Sequence, residues 1–227
     1  MSPSDLKEFR AGGMGGLLRP GVSAPTTSIV LLHGYGGDEK VMWIFAPPPS
    51  DGFRVIALRG TESAIDGGYR WHRGQRWPPP GMDAFLDSIR AVGAALADLG
   101  VGPNVVWVGF SQGAALAFSC AAAGLPTAGV ACLAGYLPAG AETLPPGTPV
   151  FWAHGTRDDR VPIEIAREGA GRLRVAGAAV EFCEQDVGHK LSAGCLRALR
   201  VWLRRFQPPG GGGDASVLSS PSQGTPP

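Results

Sequence analysis

The sequence predicts an α/β fold: a mostly parallel central sheet with helices on both faces and no large lid domain. Three observations predict it. Short runs of β-branched and apolar residues alternate along the chain with segments of helical period, the pattern of strand–helix–strand units. The strands read as continuous apolar runs rather than alternating ones, as strands covered on both faces do. The residues that could carry chemistry fall just after those runs, at the carboxyl ends of the strands, where open parallel sheets bind ligands. The 227 residues suit one domain of ordinary size.

Three segments are expected: 1–25, partly irregular; 26–206, the folded domain; and 207–227, a tail of glycine, serine and proline that cannot bury enough apolar surface to order itself. In the first segment glycine and proline leave room for at most a short edge strand near Leu6 to Arg10. Thr27 to Leu32 reads as a strand, followed by His33-Gly34-Tyr35-Gly36-Gly37-Asp38. Val41 to Phe45 reads as a short helix stopped by Pro47-Pro48-Pro49, and Phe53 to Leu58 as the next strand. Arg59 to Gly81 is a long loop, a length that points to function or disorder. From Asp83 to Leu99 the apolar residues recur at helical spacing, with Gly100 as the stop. Asn104 to Val108 is a buried strand, and Ala114 to Ala121 a helix. Ala128 to Ala134, Pro149 to Ala153 and Ala179 to Cys183 are strands. Pro162 opens a helix that ends near Gly177, and Leu191 to Phe206 is the last helix.

Between the central strand and its helix lies Gly109-Phe110-Ser111-Gln112-Gly113. A G-x-S-x-G at a strand-to-helix junction describes a sharp turn that holds the serine hydroxyl clear of the sheet. The backbone N–H of Gln112 then faces any oxyanion formed on an attacked carbonyl. A serine hydroxyl is a weak nucleophile at neutral pH and needs a base, which in turn needs an orienting carboxylate. His189, after the last strand, is the candidate base. Asp158, after Pro149 to Ala153, is the candidate acid, with Asp159 as its direct competitor and Asp186 as a weaker one. The order Ser111, Asp158, His189 is the order expected when G-x-S-x-G opens the series. The loop after the first parallel strand offers a second oxyanion donor, with the Tyr35 N–H as first choice.

Other classes are excluded or disfavoured. The net charge of +1, with 17% charged residues, leaves no basic stripe for nucleic acid. Gly34 and Gly36 fit the first positions of a dinucleotide fingerprint, but the third is Glu39, and Arg59 stands where an acid should end the next strand. There is no P-loop motif. The four histidines are scattered without metal spacing, so neither metal nor cofactor is expected. The uncharged stretch between Asp98 and Glu142 is broken by Pro103, Asn104, Gln112 and Pro126, which fits a buried strand–helix–strand better than a membrane span. The four cysteines form no C-x-x-C, and three lie in apolar segments, so buried thiols are expected rather than disulfides. With Asp5 and Glu8 near the start and no apolar run there, no signal peptide is expected and the cytoplasm is the expected location.

Taken together, Leu31-Leu32-His33-Gly34-Tyr35-Gly36-Gly37, Gly109-Phe110-Ser111-Gln112-Gly113, His154 to Pro162 and Gly188-His189 resemble the phospholipase/carboxylesterase family. This is the branch of α/β-hydrolases that includes acyl-protein thioesterases and small carboxylesterases. The resemblance covers roughly residues 25 to 206. It implies an α/β-hydrolase fold, Ser111 as nucleophile, Asp158 as triad acid, His189 as base, Tyr35 and Gln112 as oxyanion donors, no cofactor, and a small-molecule or lipid-like ester or thioester substrate. The sequence departs from the family at Asp158-Asp159-Arg160, where Asp-Pro is common. The loop from Tyr69 to Pro80, with Trp71, His72 and Trp77, is expected to wall the acyl pocket, with Trp71 and His72 as substrate-binding residues. A bare anchoring role for its tryptophans is the competing reading. Two further readings keep the fold: a non-catalytic ligand receptor or scaffold, and an acyltransferase or perhydrolase using the same triad. Monomer and homodimer are equally compatible with the sequence.

Overall fold

The structure, a computed structural model, describes residues 6–21, 27–73 and 79–207. The expectations for Trp77 and for the tail beyond Gln207 fall outside those residues. Among the described residues the main sheet has eight strands. In chain order these are β1 (Lys7–Ala11), β2 (Met14–Arg19), β3 (Ser28–Leu32), β4 (Arg54–Leu58), then, after a two-stranded ribbon β5 (Glu62–Ser63) and β6 (Tyr69–Arg70), β7 (Val105–Phe110), β8 (Gly129–Leu133), β9 (Pro149–Gly155) and β10 (Ala179–Gln185). The α-helices are α1 (Leu86–Asp98), α2 (Gln112–Ala122), α3 (Ile163–Val175) and α4 (Ala193–Leu203). The spatial order β1-β2-β4-β3-β7-β8-β9-β10 is parallel from β4 onward and antiparallel at β1–β2 and β2–β4. No segment among the described residues builds a separate lid.

Period-two patterning divides the apolar residues between two layers. Val30 and Leu32 of β3, Trp107 of β7 and Trp152 of β9 join a core covered by α1, α2 and α3. Ile29, Leu31, Val106, Val108 and Phe151 join a second core under α4 and the 3-10 turn Val41–Phe45. All five residues of β3 and of β8 are buried, which is why these strands read as unbroken apolar runs. Each fully buried aliphatic side chain contributes about 1.5–3 kcal/mol. The centre of the sheet, where Ser111 is carried, is thus its most strongly held part.

Two expectations are corrected. The N-terminal segment holds a hairpin, not at most one short strand. Its second strand, β2, pairs with β4 from Gly16↔Leu58 to Arg19↔Val55. A Cβ at Gly16 would lie 2.4 Å from the Ala57 carbonyl oxygen. The glycines that argued against a strand there are what lets it approach.

The second correction concerns the cysteines. Cys183 within β10 and Cys195 in α4 form a disulfide, with Cα atoms 5.8 Å apart, while Cys120 and Cys132 are free and buried, their thiols pushed up by burial. The cytoplasmic expectation loses the support it drew from cysteine usage, since such bonds belong mainly to oxidising surroundings. The bridge closes a loop of 12 residues' separation that contains His189. Loop-closure entropy for that length corresponds to about 3 kcal/mol, or roughly 6–12 °C in melting temperature for a chain of this size. Reduction with dithiothreitol should lower the melting temperature by that amount, and thiol titration of the unreduced, denatured chain should find two thiols. Four titratable thiols, or identical melting with and without reductant, would show that the bridge does not form.

Candidate active site

The elbow is built by close approach. A Cβ on Gly109 would lie 2.3 Å from the Gly113 carbonyl oxygen, and one on Gly113 would lie 2.1 Å from that of Leu32. No side chain fits at either place. Between them Ser111 takes φ 53° and ψ −117°, a conformation that L-residues other than glycine adopt only when the surroundings impose it. The turn projects the Ser111 side chain into a cleft of about 360 Å³ beyond the carboxyl ends of the strands. Besides Ser111 the cleft is lined by Gly34, Tyr35, His72, Phe110, Gln112, Tyr136, Arg160, Val161 and His189.

His189 and Asp158 meet at this cleft from separate loops. The distance from His189 Nδ1 to Asp158 Oδ2 is 2.7 Å. An ionised carboxylate can only accept, so Nδ1 carries the proton and Nε2 is left as the basic nitrogen. The Asp158 side chain is fully buried. Burial opposes its charge, but the hydrogen bond from His189 and those from the Val161 and Arg160 N–H groups to Oδ1, both 2.9 Å, outweigh it and hold the carboxyl below its ordinary range. Asp158 is therefore an anion, and both its oxygens are engaged. Asp159 is exposed and does not line the cleft. Asp186 points outward and pairs with Arg157 at 2.6 Å.

The acid and base loops are laced together. Arg157 N–H donates to the Val187 carbonyl at 3.0 Å, and Thr156 N–H to that of Gln185 at 2.9 Å. A Cβ at Gly155 would lie 2.2 Å from the Val187 carbonyl oxygen, so only glycine lets the two loops approach this closely. The Phe110 ring lies 5.1 Å from the His189 ring, centroid to centroid, and backs the imidazole. His154 lies beneath Asp158, with Nε2 2.8 Å from the Val161 carbonyl and 3.4 Å from Asp158 Oδ2. Burial above all holds His154 neutral, so its contact with Asp158 is dipolar, not an ion pair.

Gln112 begins α2, and its backbone N–H, as the first of the helix, has no acceptor within it. The Gln112 side chain is committed elsewhere: Oε1 accepts from the Trp71 N–H at 2.9 Å. Trp71 Nε1–H donates to the His33 carbonyl at 2.7 Å, and Ser88 Oγ donates to the Trp71 carbonyl at 2.5 Å. His33 is held neutral by burial. It accepts from the Gly60 N–H at 2.9 Å through Nε2, which leaves Nδ1–H to donate to the Gly34 carbonyl at 2.7 Å. The Gly34–Gly37 turn is tied to β6 by Gly36 N–H to the Tyr69 carbonyl and Tyr69 N–H to that of Gly37, both 2.8 Å. Arg59 clamps the buried Glu39 through Nε at 2.7 Å. The two residues that disfavoured a dinucleotide fingerprint thus pair with each other.

The expected site residues separate into two groups. Ser111, His189, Tyr35, Gln112 and His72 line one cleft, and Asp158 is bonded behind His189. Trp71 does not join them as a substrate-binding residue. It is 1% exposed, absent from the cleft lining, and bonded to His33 and Gln112. Its burial and bonds are those of an anchor, and its neighbour His72 is the residue of the pair that lines the cleft. Sequence reasoning missed Tyr136 and Arg160 as lining residues. Tyr136 follows the carboxyl end of β8, the position rule that had picked out the others. Arg160 lies in the segment that departs from the family pattern. Among the described residues no three His, Cys, Asp or Glu side chains gather as a metal site would require, and no helix is long and apolar enough to cross a membrane.

A phospholipase/carboxylesterase family profile matches residues 19–206. A probable carboxylesterase of Oryza sativa subsp. japonica is 34% identical over 114 residues, 46% of this chain and 43% of the rice protein. The carboxylesterase SOBER1 of Arabidopsis thaliana is 31% identical over 110 residues, 45% of this chain and 48% of that protein. The matched stretch thus spans somewhat under half the length of these curated relatives. Among solved structures, esterase PE8 superposes with a TM-score of 0.72 at 25% identity, covering 85% of this chain and 99% of that one. With the strained serine elbow at the centre of an α/β-hydrolase sheet and the profile running from β2 to the end of the described fold, the chain belongs to the phospholipase/carboxylesterase family.

Proposed function

We propose that the chain is a serine hydrolase that cleaves carboxylic esters through Ser111, His189 and Asp158. The observation that carries this reading is the 2.7 Å contact between His189 Nδ1 and the buried anion of Asp158, on the same cleft as the elbow serine. His189 Nε2 takes the Ser111 proton as Oγ attacks the acyl carbon. The carbonyl electron pair moves to oxygen and is met by the N–H groups of Gln112 and Tyr35. Collapse expels the alcohol, which takes the proton from His189, and leaves Ser111 acylated. Water, deprotonated by the same imidazole, then attacks the acyl carbon, and acid and free Ser111 are released. Asp158 stabilises the imidazolium in both half-reactions without itself taking the proton. The named relatives, described as carboxylesterases, favour oxygen esters. Thioester and lysophospholipid acyl groups are narrower versions of the same chemistry.

The test is covalent labelling with a fluorophosphonate probe alongside hydrolysis of p-nitrophenyl butyrate. Stoichiometric label on the peptide containing Ser111, and turnover that the probe abolishes, are expected. A folded chain that neither labels nor hydrolyses would support a receptor or scaffold instead.

A further inference from the structure

The geometry points to Arg160 as a specificity-determining residue that selects esters carrying a second, anionic group, a carboxylate in the simplest case; this rests on the hydrolase reading above. Arg160 lines the same cleft as Ser111 and His189. Its position is not incidental, because its backbone N–H is bonded at 2.9 Å to Oδ1 of Asp158, the carboxylate whose other oxygen orients His189. The backbone that presents the guanidinium is therefore fixed to the reacting groups. Arg160 is exposed, and its guanidinium makes no hydrogen bond or ion pair with a described residue. Neighbouring arginines are engaged: Arg157 with Asp186 and Arg167 with Glu184.

Among the described residues, the rest of the cleft lining offers no free carboxylate to pair with it. Asp158 is the acid bonded to the Arg160 backbone, but its side chain is fully buried with both oxygens occupied. Asp159 is not in the cleft lining and forms no ion pair with Arg160. Of the remaining lining, His72 is kept uncharged by burial first and by Arg70 second, and burial keeps the Tyr136 phenol protonated. A permanently charged planar fork beside a cleft that presents no free carboxylate among its described residues attracts carboxylate oxygens in pairs. The tethered backbone limits how far that fork can swing from the scissile carbonyl. A solvated surface arginine would have no such effect on rate, and the two cases differ in what a substrate's charge does.

The experiment uses two matched pairs of esters. One carries the charge on the acyl side: mono-p-nitrophenyl glutarate against its neutral methyl ester. The other carries it on the leaving group: the acetyl ester of 4-hydroxybenzoate against that of methyl 4-hydroxybenzoate. The readout is the anionic-to-neutral ratio of kcat/KM, corrected for the uncatalysed rates. In the wild type this ratio is expected to exceed one in at least one pair and to fall with added salt; the pair concerned tells which side of the ester Arg160 meets. Arg160→Gln should lower the ratio about tenfold, Arg160→Lys should keep most of it, and Arg160→Glu should push it below the Gln value. Ratios at or below one in both pairs, or ratios that Arg160→Gln and Arg160→Glu leave unchanged, would overturn the inference while leaving the hydrolase reading intact. Failure of all four esters together with absent fluorophosphonate labelling would instead overturn the hydrolase reading, and this inference with it.

Discussion

Replacing Ser111 with alanine is expected to lower kcat for p-nitrophenyl butyrate by about 10⁴ or more and to abolish fluorophosphonate labelling. What remains is the rate that oxyanion donors and binding supply by themselves. The substitution removes one oxygen and keeps Cβ, so the chain at φ 53° is no more and no less strained than before. The hydroxyl makes no hydrogen bond with a described residue, and α2 keeps the bonds that the Ser111 carbonyl accepts from Ala114 and Ala115. The melting temperature should therefore stay within a degree or two, about what a substitution outside any packed or bonded feature produces. Activity loss with an intact melt separates chemistry from folding. Turnover that survives, with label moving to Ser119 or Ser192, would remove Ser111 from the role. Ser119 is a poor rival: it is completely buried, and its Oγ donates to the Ala115 carbonyl at 2.9 Å.

What could be read in the sequence was what chain order and local pattern encode. Strands β3, β7, β8 and β9 are buried on both faces, so their apolar runs stand out. The residues beyond their ends stand out in turn, because sheets of this kind concentrate chemistry there. Ser111 and Gln112, which follow β7, were legible for that reason; His189, beyond the partly exposed β10, was legible from its place in the chain order Ser111, Asp158, His189. What escaped depends on contacts across the chain. Gly15 and Gly16 weaken any local strand preference, yet β2 forms because β4 supplies its ladder. Cys183 and Cys195 come within bonding distance only once α4 packs beside β10. Trp71 has the composition of a binding-site residue, and nothing local says that its indole N–H will be spent on the His33 carbonyl inside the core. The departure at Asp158-Asp159-Arg160 was visible as a departure. That it brings Arg160 to the cleft lining required the two N–H bonds to Asp158 that shape the loop.

Asp158→Asn is expected to cost about 10⁴ in kcat, and Asp159→Asn no more than about threefold. The argument turns on which atom of the amide faces the imidazole. In the native site Oδ1 accepts from the Arg160 and Val161 N–H groups while Oδ2 accepts from His189 Nδ1. An asparagine that keeps its oxygen toward the two backbone donors must turn its NH₂ toward His189. Two donors cannot share that contact, so the imidazole moves its proton to Nε2 and no longer presents a base to Ser111. An asparagine turned the other way preserves the tautomer but sets NH₂ against the Arg160 and Val161 N–H groups and loosens the loop that holds the acid. Either orientation also removes the buried negative charge that stabilises the imidazolium. Asp159, exposed and away from the cleft lining, has none of these roles. The measurement is kcat and KM for one neutral ester across wild type, Asp158→Asn and Asp159→Asn, with fluorophosphonate labelling rates in parallel. The effect should fall on kcat and on labelling rate rather than on KM, since neither carboxylate touches the bound acyl group. A larger loss at Asp159 than at Asp158 would reassign the acid to the neighbouring residue.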